Sequence, residues 1–326
     1  MPSLAARVER WPIAGAFTIA RGSKTEAEVV VVELQAAGAR GRGEAVPYAR
    51  YGETTGSVLA QIEAVRTRIE AGCDAAALQR LVEPGAARNA LDCALWDLEA
   101  KRTGVRAWAR AGRPDLHAVT TAFTLSLAAP QAMAAAARAA ASRPLLKLKI
   151  GGPDDLDRVA AVRGAAPGAA LIVDANEALS FDDLRRLAPD FARLGVGLIE
   201  QPLKAGADEA LEGYASPVML CADESLHTRG ELAACARRYG CVNVKLDKTG
   251  GLTEALRLSA EARALGLSLM AGCMVATSLA MAPAMIIAQD AAFTDLDGPL
   301  LLARDREPGL VFDGSRIEPP AAALWG

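Results

Sequence analysis

The chain has 326 residues, a formal net charge of −3, 52% hydrophobic residues and only 4% aromatic ones. That length accommodates one large α/β barrel plus a smaller domain, with a sizeable core built mainly of aliphatic side chains. The absence of a basic stripe or a run of like charges speaks against nucleic acid as a partner.

Six cysteines (Cys73, Cys93, Cys221, Cys235, Cys241, Cys273) form no CxxC pair and no zinc spacing, and read as buried free thiols. The N-terminus, MPSLAARVERWPIAG, lacks the long apolar segment of a signal peptide. Together these predict a cytoplasmic protein.

In chain order, VVVVELQAAGARGRGEAVPY predicts two antiparallel strands around the glycine-rich segment AAGARGRG. Helical stretches follow around 55–71 and 88–103. This part reads as an α+β capping domain over residues 1–115, with its boundary marked by Gly112, Pro114 and His117. From about residue 119 short apolar runs alternate with helical stretches. The runs are AVTTAFTL, LLKLKI, ALIVDAN, VGLIEQP, VMLCADES, CVNVKLD, LSLMAGC and AAFTDLDG. Their spacing, roughly 22–27 residues, is that of one βα unit. Eight such units predict a (β/α)8-type barrel over residues 116–299. An open doubly wound sheet would want a GxGxxG turn, and no βα turn carries one.

Between the runs, AAPQAMAAAARAAASR is nearly all alanine, SFDDLRRLAPDFARLG opens on Ser180 as an N-cap and closes on Gly195, and Leu252–Leu265 stops at Gly266. Residues 267–288 carry no charge and are long enough to cross a bilayer. Gly272, Pro283 and the lack of flanking lysine or arginine favour instead a buried strand, loop and helix, so no membrane partner is expected. This unit is either core or an interface, which leaves a homo-oligomer open. From about residue 300 the chain leaves the barrel pattern and is expected to return to the cap.

The charged residues that end these runs carry the chemistry. In such barrels catalytic groups project from the C-terminal strand ends. Lys149 would close strand two, Asp174 strand three, Glu200 strand four, Asp223 strand five and Lys245 strand six. Base, three acids, base is the order that metal-assisted proton abstraction beside a carboxylate requires. Oxygen ligands without a nearby histidine favour Mg2+ over zinc, and the chain has only His117 and His227. A substrate carboxylate on the cation would place its α-carbon between the lysines, and the metal would stabilise the enediolate. A lysine base must be neutral, and Lys147 beside Lys149 supplies a like charge that depresses its pKa. Singly, each charge is more simply a solvated group or a helix cap. Five in register with the repeat are not.

The segments IARGSKTEAEVVVVEL, PYARYGET, GAARNALDCALWDLEAK, LIVDANE, CADESLHTR, VNVKLDKTGGLTEAL and FTDLDGP resemble the enolase superfamily, in its muconate lactonizing-like branch with the KxK motif, and there the dipeptide epimerases. The resemblance spans nearly the whole chain. It implies an isomerase that inverts the C-terminal residue of L-Ala-D/L-Glu in murein peptide recycling, with Lys149 and Lys245 as opposed acid/base catalysts. It implies Mg2+ on Asp174, Glu200 and Asp223, and Lys147 holding the substrate carboxylate. Asp295 and Asp297 of the DLD run would receive the dipeptide ammonium, a sensible use of paired carboxylates in a dry pocket. Thr124 and Cys273 match substrate-contacting positions, Cys273 as pocket lining. Arg21 and Lys24 are both candidates for the substrate side-chain carboxylate. An N-acylamino acid racemase or an o-succinylbenzoate synthase-like lyase on the same scaffold is the nearest alternative.

Overall fold

Residues 2–326 are described by a computed structural model. The cap begins with β1 (Ser3–Ile19), antiparallel to β2 (Gly22–Ala36), which pairs in turn with β3 (Ala39–Ala45). Strand β1 has no counterpart in the sequence prediction. Pro12 and Gly15 interrupt its alternation, and its ladder slips between Pro12 and Phe17.

The glycine-rich segment is also not the loop it suggests. Only Ala37 and Gly38 turn the chain, at φ 50° and 78°. Gly41 and Gly43 lie inside β3, against the helix Ala86–Thr103. A Cβ on Gly43 would sit 2.1 Å from the Ala90 carbonyl oxygen, and one on Gly41 2.3 Å from that of Ala94. These glycines let a helix with buried Ala86, Ala87, Ala90 and Ala94 rest its backbone on the sheet. The first predicted helical stretch is broken into Thr55–Ala64 and Arg66–Glu70.

The first barrel run, AVTTAFTL, splits in two. Val119–Thr120 (β4) pairs outside the barrel, and Phe123–Leu125 (β5) opens it. There follow β6 (Leu145–Lys149), β7 (Ala170–Asp174), β8 (Val196–Glu200), β9 (Met219–Ala222), β10 (Cys241–Val244), β11 (Ser268–Gly272) and β12 (Phe293–Asp295). All eight are parallel and neighbour one another in sequence order. The Ala122 N–H donates to the Thr294 carbonyl at 2.8 Å and joins the two ends of the sheet, completing the ring.

The helix Phe181–Arg193 starts as its sequence predicts. Ser180 Oγ accepts from the Asp183 amide and the Asp183 carboxylate accepts from that of Ser180, a reciprocal cap worth about 1 kcal/mol. The charge-free unit resolves into β11 and the helix Ser278–Ala288, which is buried on nearly every side. It is core, and among the described residues no helix is long and apolar enough to cross a membrane.

After β12 the chain turns back. The Ala303 amide donates to the Pro12 carbonyl, and the hairpin of β13 (Phe312–Asp313) and β14 (Arg316–Ile317) adds to β4. Trp325 Nε1 donates to the Cys93 carbonyl and the Gly326 amide to Asp97, both on the long cap helix. All six cysteines are free; four are buried, while Cys73 and Cys273 are partly exposed.

The close approach at Gly43 gives the first prediction. Gly43→Ala should cost about 1–3 kcal/mol of stability in urea unfolding, because the added methyl meets main chain that cannot yield. Gly56→Ala, in a helix with its nearest neighbour at 3.8 Å, should hold stability or raise it by about 0.5–1 kcal/mol.

Candidate active site

The strand ends bring the sequence-predicted charges together. Lys149, Asp174 and Glu200 are the last residues of β6, β7 and β8, and their Cα atoms pair in register across the sheet. Asp223 and Lys245 stand one residue beyond β9 and β10. Strands β6 and β10 are separated by three strands in either direction round the ring, so the two lysines rise from opposite walls.

All five groups are buried, as are Lys147, Asp295 and Asp297. Lys149 Nζ contacts Asp174 Oδ2 at 2.5 Å, and Lys245 Nζ contacts Asp223 Oδ2 at 2.7 Å and Glu200 Oε1 at 3.9 Å. Lys147 Nζ has three acids round it: Glu200 at 2.6 Å, Asp295 at 2.7 Å and Asp174 at 3.2 Å.

Lys147 is held as an ammonium. Burial alone would depress its pKa, but Asp295, Glu200 and Asp174 hold it well above the ordinary lysine range. Lys245 is likewise held high by Asp223 and Glu200 against its burial.

The acids divide. Asp174 and Asp223 are pulled below the usual carboxylate range, burial being outweighed for Asp174 by Lys149 and Lys147 and for Asp223 by Lys245 and Lys248. Glu200 goes up, through burial first and then the charges of Asp174 and Asp223.

Among the described residues no three acids stand ready around one vacant point. The donor set nevertheless fits a hard divalent cation. It offers only oxygens from three neighbouring strand ends, and Glu200 Oε2 has Lys147 beside it as a charge but accepts no well-aimed hydrogen bond.

On the opposite side, Asp297 Oδ2 accepts from the Thr124 amide at 2.6 Å, and Asp295 Oδ1 is buried without a partner. Burial and then Asp295 raise the Asp297 carboxyl. Burial pushes the Cys273 thiol well up, and Asp295 and Asp297 add to this, so it stays neutral and lines the site.

The hairpin tip between β1 and β2 reaches over these strand ends. Arg21 donates to Glu224 (2.7 Å), the Asn176 carbonyl (2.9 Å), the Tyr48 hydroxyl (3.1 Å) and Glu177 (3.2 Å). Lys24 is exposed and has no ion pair among the described residues; its Nζ lies 5.8 Å from the centre of the Tyr48 ring.

Sequence reasoning missed a layer beneath the strand ends. Gln201 Oε1 accepts from the Asp223 and Ser225 amides. Asn243 Nδ2 donates to Glu200 Oε1 at 2.8 Å. Lys248 donates to Asp223. Its one signal is the spacing KLDK, which places Lys248 about one helical turn after Lys245.

A capped (β/α)8 barrel with lysines and carboxylates paired at its strand ends has the architecture of a barrel enzyme. Residues 3–109 match the mandelate racemase/muconate lactonizing enzyme N-terminal domain, and residues 131–323 match the enolase C-terminal domain-like family. The chain therefore belongs to the mandelate racemase/muconate lactonizing enzyme family of the enolase superfamily. It is 49% identical over 306 residues to the L-Ala-D/L-Glu epimerase of Escherichia coli, covering 93% of this chain and 95% of that protein. It is 43% identical over 294 residues to an N-acetyl-D-glutamate racemase of Pseudoalteromonas, covering 88% and 91%. An enolase family member from Agrobacterium tumefaciens with homology to dipeptide epimerases, solved with sodium, L-Ala-L-Glu and an ordered loop, superimposes with a TM-score of 0.98 at 52% identity over the whole of both chains.

Two residues after Lys245, Asp247 joins barrel to cap by accepting from the Val46 amide (2.9 Å) and the Asn89 side chain (2.8 Å). Burial raises its carboxyl to about 7, although both hydrogen bonds pull it down. In the unfolded chain the group ionises near pH 4, so between pH 4 and 7 the folded protein binds this proton more tightly. Its contribution to stability is full below about pH 4, falls as pH rises and is flat above about 7. The stability of the native protein relative to Asp247→Asn should therefore fall by a few kcal/mol from pH 4.5 to 7.5, read by urea unfolding at each pH. A constant difference would show that Asp247 ionises normally.

Proposed function

We propose that the protein is a Mg2+-dependent dipeptide epimerase, inverting the α-carbon of the C-terminal residue of L-Ala-D/L-Glu by two-base proton transfer. The observation that carries this reading is the pair of lysines on opposite barrel walls with buried carboxylates between them. Asp174, Glu200 and Asp223 would hold the cation, which when bound supplies positive charge to stabilise the dianion formed at the substrate carboxylate.

Of Lys149 and Lys245, one takes the α-proton from its face of the carbon, leaving the electron pair in the carboxylate as an enediolate. The other returns a proton to the opposite face. The donor lysine must start charged and the acceptor neutral. In this structure Lys245 is held charged by Asp223, so sharing Asp223 with a cation removes part of that hold.

Asp295 and Asp297 suit a substrate with a free ammonium: two buried acids, one with an oxygen that lacks any partner. Arg21 already has four acceptors, which leaves Lys24 as the cation for the glutamate side chain. We place the reaction in murein peptide recycling in the cytoplasm, since L-Ala-D-Glu is a fragment of murein stem peptides. The Pseudoalteromonas relative supports a second reading, racemisation of an N-acylated glutamate, whose substrate carries no ammonium.

Solvent deuterium exchange tests both. L-Ala-L-Glu should exchange and invert far faster than N-acetylglutamate, and a chelator should stop it. Lys149→Ala and Lys245→Ala should each abolish inversion, while each still exchanges one stereoisomer about a hundredfold to ten-thousandfold more slowly. Lys24→Met should lower kcat/KM for L-Ala-L-Glu by about tenfold to a hundredfold, the worth of a charged hydrogen bond, and leave L-Ala-L-Leu unaffected. A preference for N-acetylglutamate would reverse the substrate assignment, and turnover in chelator would end the metal assignment.

A further inference from the structure

Lys248 stands apart from the other lysines of the site. Its side chain is fully buried, and each of its three donors has an acceptor within the protein. Nζ donates to the Asp223 carbonyl (2.5 Å), to Asp223 Oδ1 (2.7 Å) and to the Asn243 carbonyl (3.0 Å). Three donors meet three acceptors, so the ammonium is saturated and has no capacity left for a substrate.

Its partners have one thing in common. Asp223 Oδ1 is tied down by Lys248, which leaves Oδ2 as the oxygen turned toward Lys245. Asn243, whose carbonyl takes the third bond, uses its side-chain amide to hold Glu200 Oε1 at 2.8 Å. Gly272 makes room for that amide, since a Cβ there would lie 2.3 Å from Asn243 Oδ1. One buried ammonium thus braces the ends of β9 and β10, and through them two of the three acids assigned to the cation.

We propose that Lys248 is a positioning residue that fixes Asp223 to present a single oxygen, Oδ2, to a divalent cation. The proposal rests on the metal reading above. It makes a prediction opposite in sign to simple electrostatics. A buried positive charge behind a cation site repels the cation, so removing a bystander charge should tighten binding. Removing a brace should loosen it, by about tenfold to a hundredfold where an outer partner of a ligand is lost.

The test is titration calorimetry of Mg2+ into the metal-free full chain, without substrate, for the native protein, Lys248→Met, Asp223→Asn and the double variant. Melting in chelator and circular dichroism check that each variant is folded. Lys248→Met should weaken Mg2+ by tenfold or more. In the Asp223→Asn background the same change should add no more than about twofold, because the brace then has no carboxylate to hold. If Lys248→Met does not fold, Lys248→Gln, whose two donors can serve at most two of the three acceptors, should weaken Mg2+ binding in the same direction by a smaller factor. Unchanged or tighter binding would overturn the proposal, as would a full additional loss in the Asp223→Asn background. If the native protein itself takes up no Mg2+, the metal reading fails, and this proposal fails with it, independently of the variants.

Discussion

Five carboxylates and four lysine ammoniums are buried together at one end of the barrel: Asp174, Glu200, Asp223, Asp295 and Asp297 against Lys147, Lys149, Lys245 and Lys248. Each ion removed from water costs several kcal/mol unless it is paired and its remaining donors and acceptors are satisfied. The arrangement meets that constraint with contacts of 2.5–2.7 Å between β6 and β7, across to β12 and between β9 and β10. It meets it incompletely. Burial and neighbouring carboxylates drive Glu200 and Asp297 upward, Asp295 Oδ1 has no partner, and Glu200 Oε2 accepts no well-aimed hydrogen bond. The oxygens left over are those that the proposed cation and substrate ammonium would address.

The cap shares in this electrostatic arrangement. Arg21 at the tip of the β1–β2 hairpin pairs with Glu224, next to Asp223, and with Glu177, three residues past Asp174. Deeper in, Glu44 of β3 accepts from the amide and hydroxyl of Thr277, and Arg306 from the returning tail closes on the same carboxylate. Cap, barrel and tail are therefore joined by buried polar bonds whose loss would leave unpaired charge, so the hairpin over the site is positioned by the same physics as the site itself.

Much of this was legible in the sequence, because βα repeats have a fixed period and a charge at the end of an apolar run stands out against it. Lys147, Lys149, Asp174, Glu200, Lys245, Asp295 and Asp297 announce themselves in that way. What the pattern could not carry was anything defined by a partner distant in the chain. Lys248, Gln201 and Asn243 read as ordinary polar residues until the strands lie side by side. Gly41 and Gly43 imitate a loop until the helix they admit is packed on them. Strand β1 hides behind Pro12 and Gly15. The setting of Lys147 was hidden for the same reason, since its neighbour in sequence is a lysine but its neighbours in space are acids.

A crystal structure grown with Mg2+ and L-Ala-L-Glu would show whether the lysine–carboxylate cluster opens to a hard cation between the strand ends. One cation should be ligated by Asp174, Glu200 and Asp223 at about 2.0–2.1 Å, with Lys147 drawn off Glu200 and the substrate α-carbon between Lys149 and Lys245. A structure with the lysine–carboxylate pairs unchanged and the cation elsewhere, or with the α-carbon out of reach of both lysines, would contradict that reading.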